Sequence, residues 1–375
     1  MRLLIFWAAI LLVGCTTATV EDYTEQNPRE KWTEEKANQW YAKQPWLVGA
    51  NFVPSTAINQ LEMWQAETFD TATIAKELEW AASIGMNTMR IFLHDLVYDE
   101  DAAGFKNRID IFLNICKRYG IKPLFVLFDS CWDPFPHKGK QHEPAPYLHN
   151  SGWVQGPGSD ALKDTSQHPR LKTYVEDIVG HFANDDRIMG WDVWNEPDNT
   201  NTSSYGRFEP YNKIELVHNL LGKVFLWTRN ANPSQPITAG IWFGIWESHD
   251  SLRPIEKLMI EESDIISFHN YDKGEEFEKR ILLLQRYNRP MLCTEYMSRG
   301  NGSTFEGSLP PAKKHKVGAF NWGLVSGKSQ TIFPWDSWQI KYTAEPELWF
   351  HDVFRKDGSS YNNGETALIK ELTTE

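Results

Sequence analysis

Eight times along this chain a short run rich in β-branched and aromatic residues gives way to a longer stretch with helical spacing. The runs are 46–53, 88–93, 121–128, 188–194, 237–242, 265–271, 290–296 and 319–325. Between them, Phe105, Ile109, Phe112 and Cys116 recur at steps of four, three and four, and Ile214, Val217, Leu221 and Val224 follow much the same rule, as a helix with one buried stripe requires. Strands that alternate with helices pair in parallel through right-handed crossovers, and eight such units close into a barrel. The expected class is therefore α/β, a single (β/α)8 TIM barrel over residues 31–375, a length that fits the usual barrel plus insertions. An open doubly wound sheet is the competing arrangement. It would show a glycine-rich turn after its first strand, whereas Gly49-Ala50-Asn51 runs on into Phe52-Val53-Pro54.

The barrel is not the whole chain. Met1 and Arg2 precede an apolar run from Leu3 to Val13, too short to span a bilayer, which reads as an export signal over residues 1–14. The run ends in Leu12-Val13-Gly14-Cys15, which resembles the bacterial lipobox. That resemblance implies that Cys15 becomes the lipidated first residue of an exported lipoprotein, periplasmic or at the cell surface. Residues 15–30 are polar and contain Pro28, so they read as a tether, and the membrane is met through the lipid alone. Three further cysteines, Cys116, Cys131 and Cys293, are odd in number and widely spaced, which argues against a disulfide framework or a zinc site.

Composition narrows the partners. Thirty-eight Lys+Arg against 50 Asp+Glu give a net charge of -12, the wrong sign for a phosphate-binding surface, so nucleic acid is not expected. Seventeen tryptophans exceed the needs of a core. An indole offers a flat apolar face with a hydrogen-bonding edge, which suits a pyranose ring. A proline- and tryptophan-bearing stretch from Asp129 to Pro169 follows the third run, at the end of a barrel where active sites form, and is expected to wall a cleft.

Two acidic residues end strand runs. In Trp191-Asp192-Val193-Trp194-Asn195-Glu196-Pro197, strict alternation sets Asp192, Trp194 and Glu196 on the inward face, with Glu196 at the rim. Met291-Leu292-Cys293-Thr294-Glu295-Tyr296 repeats the arrangement on the seventh run. Two carboxyls facing each other across a barrel mouth are what cleavage of a glycosidic bond needs: one protonates the leaving oxygen and the other works at the anomeric carbon. A metal-dependent site would need clustered ligands, and His94, His137, His142 and His269 show no such spacing. No cofactor is expected.

With these motifs in place, residues 45–375 resemble the retaining glycoside hydrolases of clan A, the (β/α)8 clan of the cellulase, β-mannanase and β-galactosidase families, with the cellulase-like family 5 nearest. Trp194-Asn195-Glu196-Pro197 looks like the clan's Asn-Glu-Pro signature, implying Glu196 as acid/base and Asn195 on the sugar 2-hydroxyl. The resemblance implies Glu295 as nucleophile, Tyr271 of Phe268-His269-Asn270-Tyr271 as its holder, His269 as a binding residue, Arg90 as its cationic partner and Trp322 as an aromatic floor. Where several of these families carry a histidine after the third strand, Phe128-Asp129-Ser130-Cys131-Trp132 stands instead; Asp129 and His94 are candidates for sugar hydroxyls. Trp242 and Trp335 are candidate stacking platforms.

The chemistry carries its own expectations. Arg90 and Tyr271 should lower the pKa of Glu295 so that it attacks as an anion, while burial and the neighbouring charge keep Glu196 protonated. A retaining pair should stand roughly 5–5.5 Å apart and an inverting pair about 6.5–9.5 Å. The expected substrate is a β-linked polysaccharide or oligosaccharide such as xylan, glucan, mannan or galactan, with endo and exo action both open. The rival expectation is a carbohydrate-binding lipoprotein without turnover, which would be expected to have lost one of the two glutamates.

Overall fold

A computed structural model describes residues 28–374. The export signal, Cys15 and the tether as far as residue 27 lie outside the described residues. Arg29, at the end of the stretch read as a tether, pairs with Asp264 at 2.6 Å.

Each of the eight runs forms a strand, shorter than the run that announces it: β1 (Val48–Asn51), β2 (Thr88–Phe92), β3 (Lys122–Val126), β4 (Gly190–Asp192), β5 (Ile237–Thr238), β6 (Ile266–His269), β7 (Met291–Tyr296) and β8 (Gly318–Trp322). All pairings are parallel, in the order β5-β4-β3-β2-β1-β8-β7-β6. A parallel bridge between Ile241 and Phe268 closes the ring. The chain is a single (β/α)8 barrel. At Gly49, opposite Thr88, a Cβ would fall 1.8 Å from the Thr88 carbonyl oxygen, so β1 and β2 approach this closely only because the residue is glycine.

Outside the ring, Phe105, Ile109, Phe112 and Cys116 are buried on the helix Ala102–Arg118 as their spacing requires. On Lys213–Asn230 the stripe begins one turn later than expected: Val217, Leu221 and Val224 are buried, Leu220 and Phe225 widen the face, and Ile214 is exposed. Inside the ring the side chains fall into layers. Leu47, Leu124, Met189, Ile265, Leu292 and Phe320 make an apolar floor, sealed from below by Trp32 and by Ala37 of the helix Glu34–Tyr41. Phe92, Val126, Trp153 and Trp322 form an aromatic layer near the mouth. Polar Asn51, Arg90 and Asp192 are also buried. With the floor plugged, a ligand enters at the C-terminal ends of the strands.

Two breaks in strand regularity decide which acids reach that mouth. β4 stops at Asp192, so alternation does not extend to Glu196. Trp194, expected to face inward, packs instead against Phe128 at 5.1 Å and donates its indole N–H to Ser130 Oγ at 2.8 Å. In β7 the register to both neighbours slips by one residue: Phe268 and His269 face Cys293 and Glu295, while Ala319 and Asn321 face Cys293 and Tyr296. That is a bulge at Thr294. It reverses the parity of the strand beyond it and re-aims Glu295 inward.

Candidate active site

At the centre lies Arg90, fully buried on β2. All five of its N–H groups donate. Nε and one Nη2 hydrogen go to Asp192 Oδ2 at 3.0 and 2.8 Å, and the other Nη2 hydrogen to Asn195 Oδ1 at 2.8 Å. Nη1 serves Asn51 Oδ1 at 2.9 Å and Glu295 Oε1 at 3.0 Å. One guanidinium thus fixes side chains from β1, β4, β7 and the segment after β4. Its planar fork is what lets a single cation hold so many acceptors.

Glu295 Oε2 accepts the Tyr271 hydroxyl at 2.8 Å. Glu196, at a backbone φ of 41°, turns its carboxyl toward Glu295 from the opposite side. Its Oε1 lies 2.8 Å from His269 Nδ1, which is also 3.5 Å from Glu295 Oε2. Glu196 Oε2 accepts from Asn199 Nδ2 at 2.7 Å and from the Cys131 thiol at 3.2 Å. One carboxylate oxygen of each glutamate and a ring nitrogen of His269 lie within 4.8 Å of one another. The spacing of histidines in the sequence gave no hint of this group, because its three members come from three strand ends.

A family model for cellulase (glycosyl hydrolase family 5) matches residues 49–324. The chain belongs to glycosyl hydrolase family 5. Among solved structures it is similar to a GH5_18 protein from Streptomyces cattleya in complex with GlcNAc (TM-score 0.57, 11% identity, 88% of this chain and 80% of that one). It is also similar to the endo-β-1,4-mannanase from Thermotoga petrophila (0.56, 14%, 89% and 77%). A third likeness is to an exo-β-1,4-mannosidase from Opitutaceae bacterium strain TAV5 (0.56, 16%, 88% and 59%). At these identities the likeness is one of fold. A search by sequence among curated proteins finds no match.

The electrostatics of this family 5 site depart from the expectation for Glu295. Burial pushes its carboxyl up to about 7, outweighing the downward pull of His269, Arg90 and Tyr271, while the charge of Glu196 adds to the rise. Burial likewise raises Glu196 to about 6, against the hydrogen bonds from Asn199 and Cys131. His269, lowered to about 4 by burial, is neutral at ordinary pH. The two glutamates are therefore a coupled pair sharing one proton through the weakly acidic range, and their titration belongs to the pair.

The other predicted residues divide. Asn195 and Trp322 stand at the site, Trp322 packed on Phe92 and Trp153 at 5.9 and 5.6 Å. Trp335 meets the Tyr271 ring edge-on at 4.9 Å, and Trp242 donates to Asp198 Oδ1 at 2.6 Å; both are half-buried at the rim. Asp129 has its oxygens taken by the protein: Oδ1 accepts from Asn195 Nδ2 and Cys131 N, both at 2.9 Å, and Oδ2 from Trp153 Nε1 at 2.7 Å. It orients Asn195 and the loop rather than presenting a free carboxylate. His94, also a candidate for sugar hydroxyls, is buried; it caps the helix Asp95–Glu100 through Leu96 N and bonds the Gln155 carbonyl, so its role is structural. Sequence reasoning missed Cys131 and Asn199 as partners of Glu196. The signal available for Cys131 was its place in the segment that departs from the family pattern.

Proposed function

We propose that this chain hydrolyses β-glycosidic bonds in a β-glycan or its oligosaccharides with retention of anomeric configuration. The observation that carries the reading is the approach of Glu196 and Glu295 oxygens to within 4.8 Å, which is nearer the roughly 5–5.5 Å of a retaining pair than the about 6.5–9.5 Å at which an inverting pair makes room for water. Of the two, Glu295 bonds to a guanidinium and a phenol, whereas Glu196 faces a neutral imidazole, an amide and a thiol. On these contacts the shared proton is assigned to Glu196 and Glu295 is the anion, although burial raises Glu295 the further of the two. Glu295 attacks the anomeric carbon as Glu196 protonates the departing oxygen. The resulting ester removes the charge on Glu295. Glu196, now ionised, takes a proton from water, which attacks the same carbon and frees Glu295.

Proton NMR of the first-formed product tests this: retention gives the β-anomer before mutarotation, and the α-anomer as first product would overturn the assignment. Because an endo-β-1,4-mannanase and an exo-β-1,4-mannosidase are among the proteins of like fold, β-manno-oligosaccharides are the first substrates to assay.

The same electrostatics set the pH dependence. Activity needs one proton on the pair, so kcat/KM should be bell-shaped with its maximum on the acid side of neutrality, falling as pH rises through the values near 6 to 7 and Glu196 loses its proton. Cys131→Ser puts a stronger hydroxyl donor at Glu196 Oε2, favours the charged carboxylate and moves the basic limb to lower pH. A basic limb that shifts upward or not at all would contradict the bond between Cys131 and Glu196.

We further propose that Cys15 carries lipid and holds the enzyme at a membrane, on the strength of the sequence around it. Cys15→Ala should move the protein from the detergent phase to the aqueous phase of a Triton X-114 partition; unchanged partition would refute the anchor.

A further inference from the structure

The loop after β3 and the loop after β8 are laced together across the mouth of the barrel, on the side where β2 and β1 lie between them. Asn150 N donates to the Ser329 carbonyl at 2.9 Å, and Tyr147 N to Gln330 Oε1 at 2.8 Å. Gln330 Nε2 returns to the Ala145 carbonyl at 2.6 Å. His149 N donates to Ser337 Oγ at 3.1 Å, and Trp338 Nε1 to the His149 carbonyl at 2.9 Å. Trp132 stacks on Trp338 with centroids 5.6 Å apart. So many bonds between two loops make a wall of fixed shape.

Beneath the wall is a small cavity whose lining includes Asn51, Phe92, Asn150, Trp153, Trp322 and Asp352. It adjoins the reacting pair through Asn51, which shares Arg90 Nη1 with Glu295. Asn150 is 1% exposed, and neither its amide oxygen nor its amide nitrogen has a hydrogen-bond partner among the described residues. A buried amide left without partners is destabilising, so one that lines a cavity beside a sugar site is poised for a ligand that both donates and accepts. A sugar hydroxyl does both.

The direction of the cavity follows from the roles of the two glutamates, and so rests on the function proposed above. Glu196 serves the leaving oxygen, so the departing part of the substrate lies on its side, toward the loops after β4 and β5. The retained sugar then lies over Trp322, with its far end under the wall. We propose that the wall makes this a dead end, that the enzyme accordingly removes single sugars from the non-reducing ends of β-linked oligosaccharides, and that the Asn150 amide binds a hydroxyl of that terminal sugar.

The test uses the full chain on a panel of aryl β-glycosides (gluco, manno, xylo and galacto), each with a mono- and a trisaccharide glycone, beside oligosaccharides labelled at the reducing end. The expected result is kcat/KM at least about tenfold higher for the monosaccharide glycone, and labelled chains that shorten one unit at a time. Asn150→Gly keeps a residue suited to its φ of 47° while removing the amide, and should lower kcat/KM on the preferred monoglycoside about tenfold with no loss of thermal midpoint. Short labelled fragments at early times, equal rates on the trisaccharide glycone, or wild-type kinetics in Asn150→Gly overturn the inference. If internal cutting is seen in the wild type and lost in Glu196→Ala, the dead end is wrong while glycoside hydrolysis stands. Turnover that survives both Glu196→Ala and Glu295→Ala, or no turnover by the wild type on any arm, overturns the two together.

Discussion

Glu295→Ala should leave a folded protein with turnover reduced by at least about 10^4-fold, some 5.5 kcal/mol in activation free energy. Among the described residues no other carboxylate is placed to substitute: Asp129 and Asp192 are tied to Asn195, Trp153 and Arg90. Truncation leaves Arg90 four of its five acceptor contacts, which is why folding should survive. Glu196→Ala should behave differently, and the difference identifies the roles. With a leaving group that needs a proton, the loss should be about 10^2–10^4-fold. With a dinitrophenyl glycoside, which departs unaided, formation of the covalent intermediate should be nearly unaffected and its hydrolysis slow, so a burst of phenolate should precede a slow steady state. A burst in Glu295→Ala instead, or equal losses on both kinds of leaving group in Glu196→Ala, would reverse the assignment.

Arg90→Met should be the most destabilising single change in the barrel interior, costing about 3–5 kcal/mol. Methionine fills much of the volume but leaves the carboxylates of Asp192 and Glu295 buried beside no cation, and the amide oxygens of Asn51 and Asn195 without their donor. Against a total stability of about 5–15 kcal/mol, that is a large fraction. Lysine restores the charge but not the planar fork, so Arg90→Lys should fall between the two. Guanidinium unfolding followed by far-UV circular dichroism measures this, and a loss under about 1 kcal/mol in Arg90→Met would show that the network is not the keystone of the interior. In Arg90→Met Glu295 also loses the cation that favours its charged form, so whatever activity remains should show its acid limb moved to higher pH.

Much of this molecule is legible in its sequence. Seven of the eight strands fall inside their runs of branched and aromatic residues and β8 starts one residue before its run, because a strand buried on both faces has little choice of composition. The stripe on Ala102–Arg118 was read correctly for the same kind of reason, since a helix lying on a barrel must bury one face. Glu196, Glu295, Arg90, His269 and Tyr271 are each singled out by strand position or resemblance, and the fold does bring them together.

What failed was the counting of alternation past the ends of strands. Trp194 was placed inward with Asp192, yet β4 stops and the indole turns to Phe128; Glu295 reaches the mouth only because a bulge at Thr294 adds one residue to β7. Period-two reasoning holds while the ladder is regular, and the chain departs from the ladder at the rim where the chemistry is. Asp129 and His94 show a related effect: a polar side chain at a strand end looks available until its protein partners are known.

The sequence by itself determined the architecture and singled out the two acids and the cation between them, because those depend on which residue types recur at which positions. Only the tertiary structure decided how the acids are tuned and what the site admits. Burial raised Glu295 despite Arg90; Cys131 and Asn199 met Glu196 from separate segments; and the loops after β3 and β8, some 180 residues apart in the chain, joined into one wall. Desolvation and contact between distant segments are properties of proximity in space, and no local pattern of residues records them.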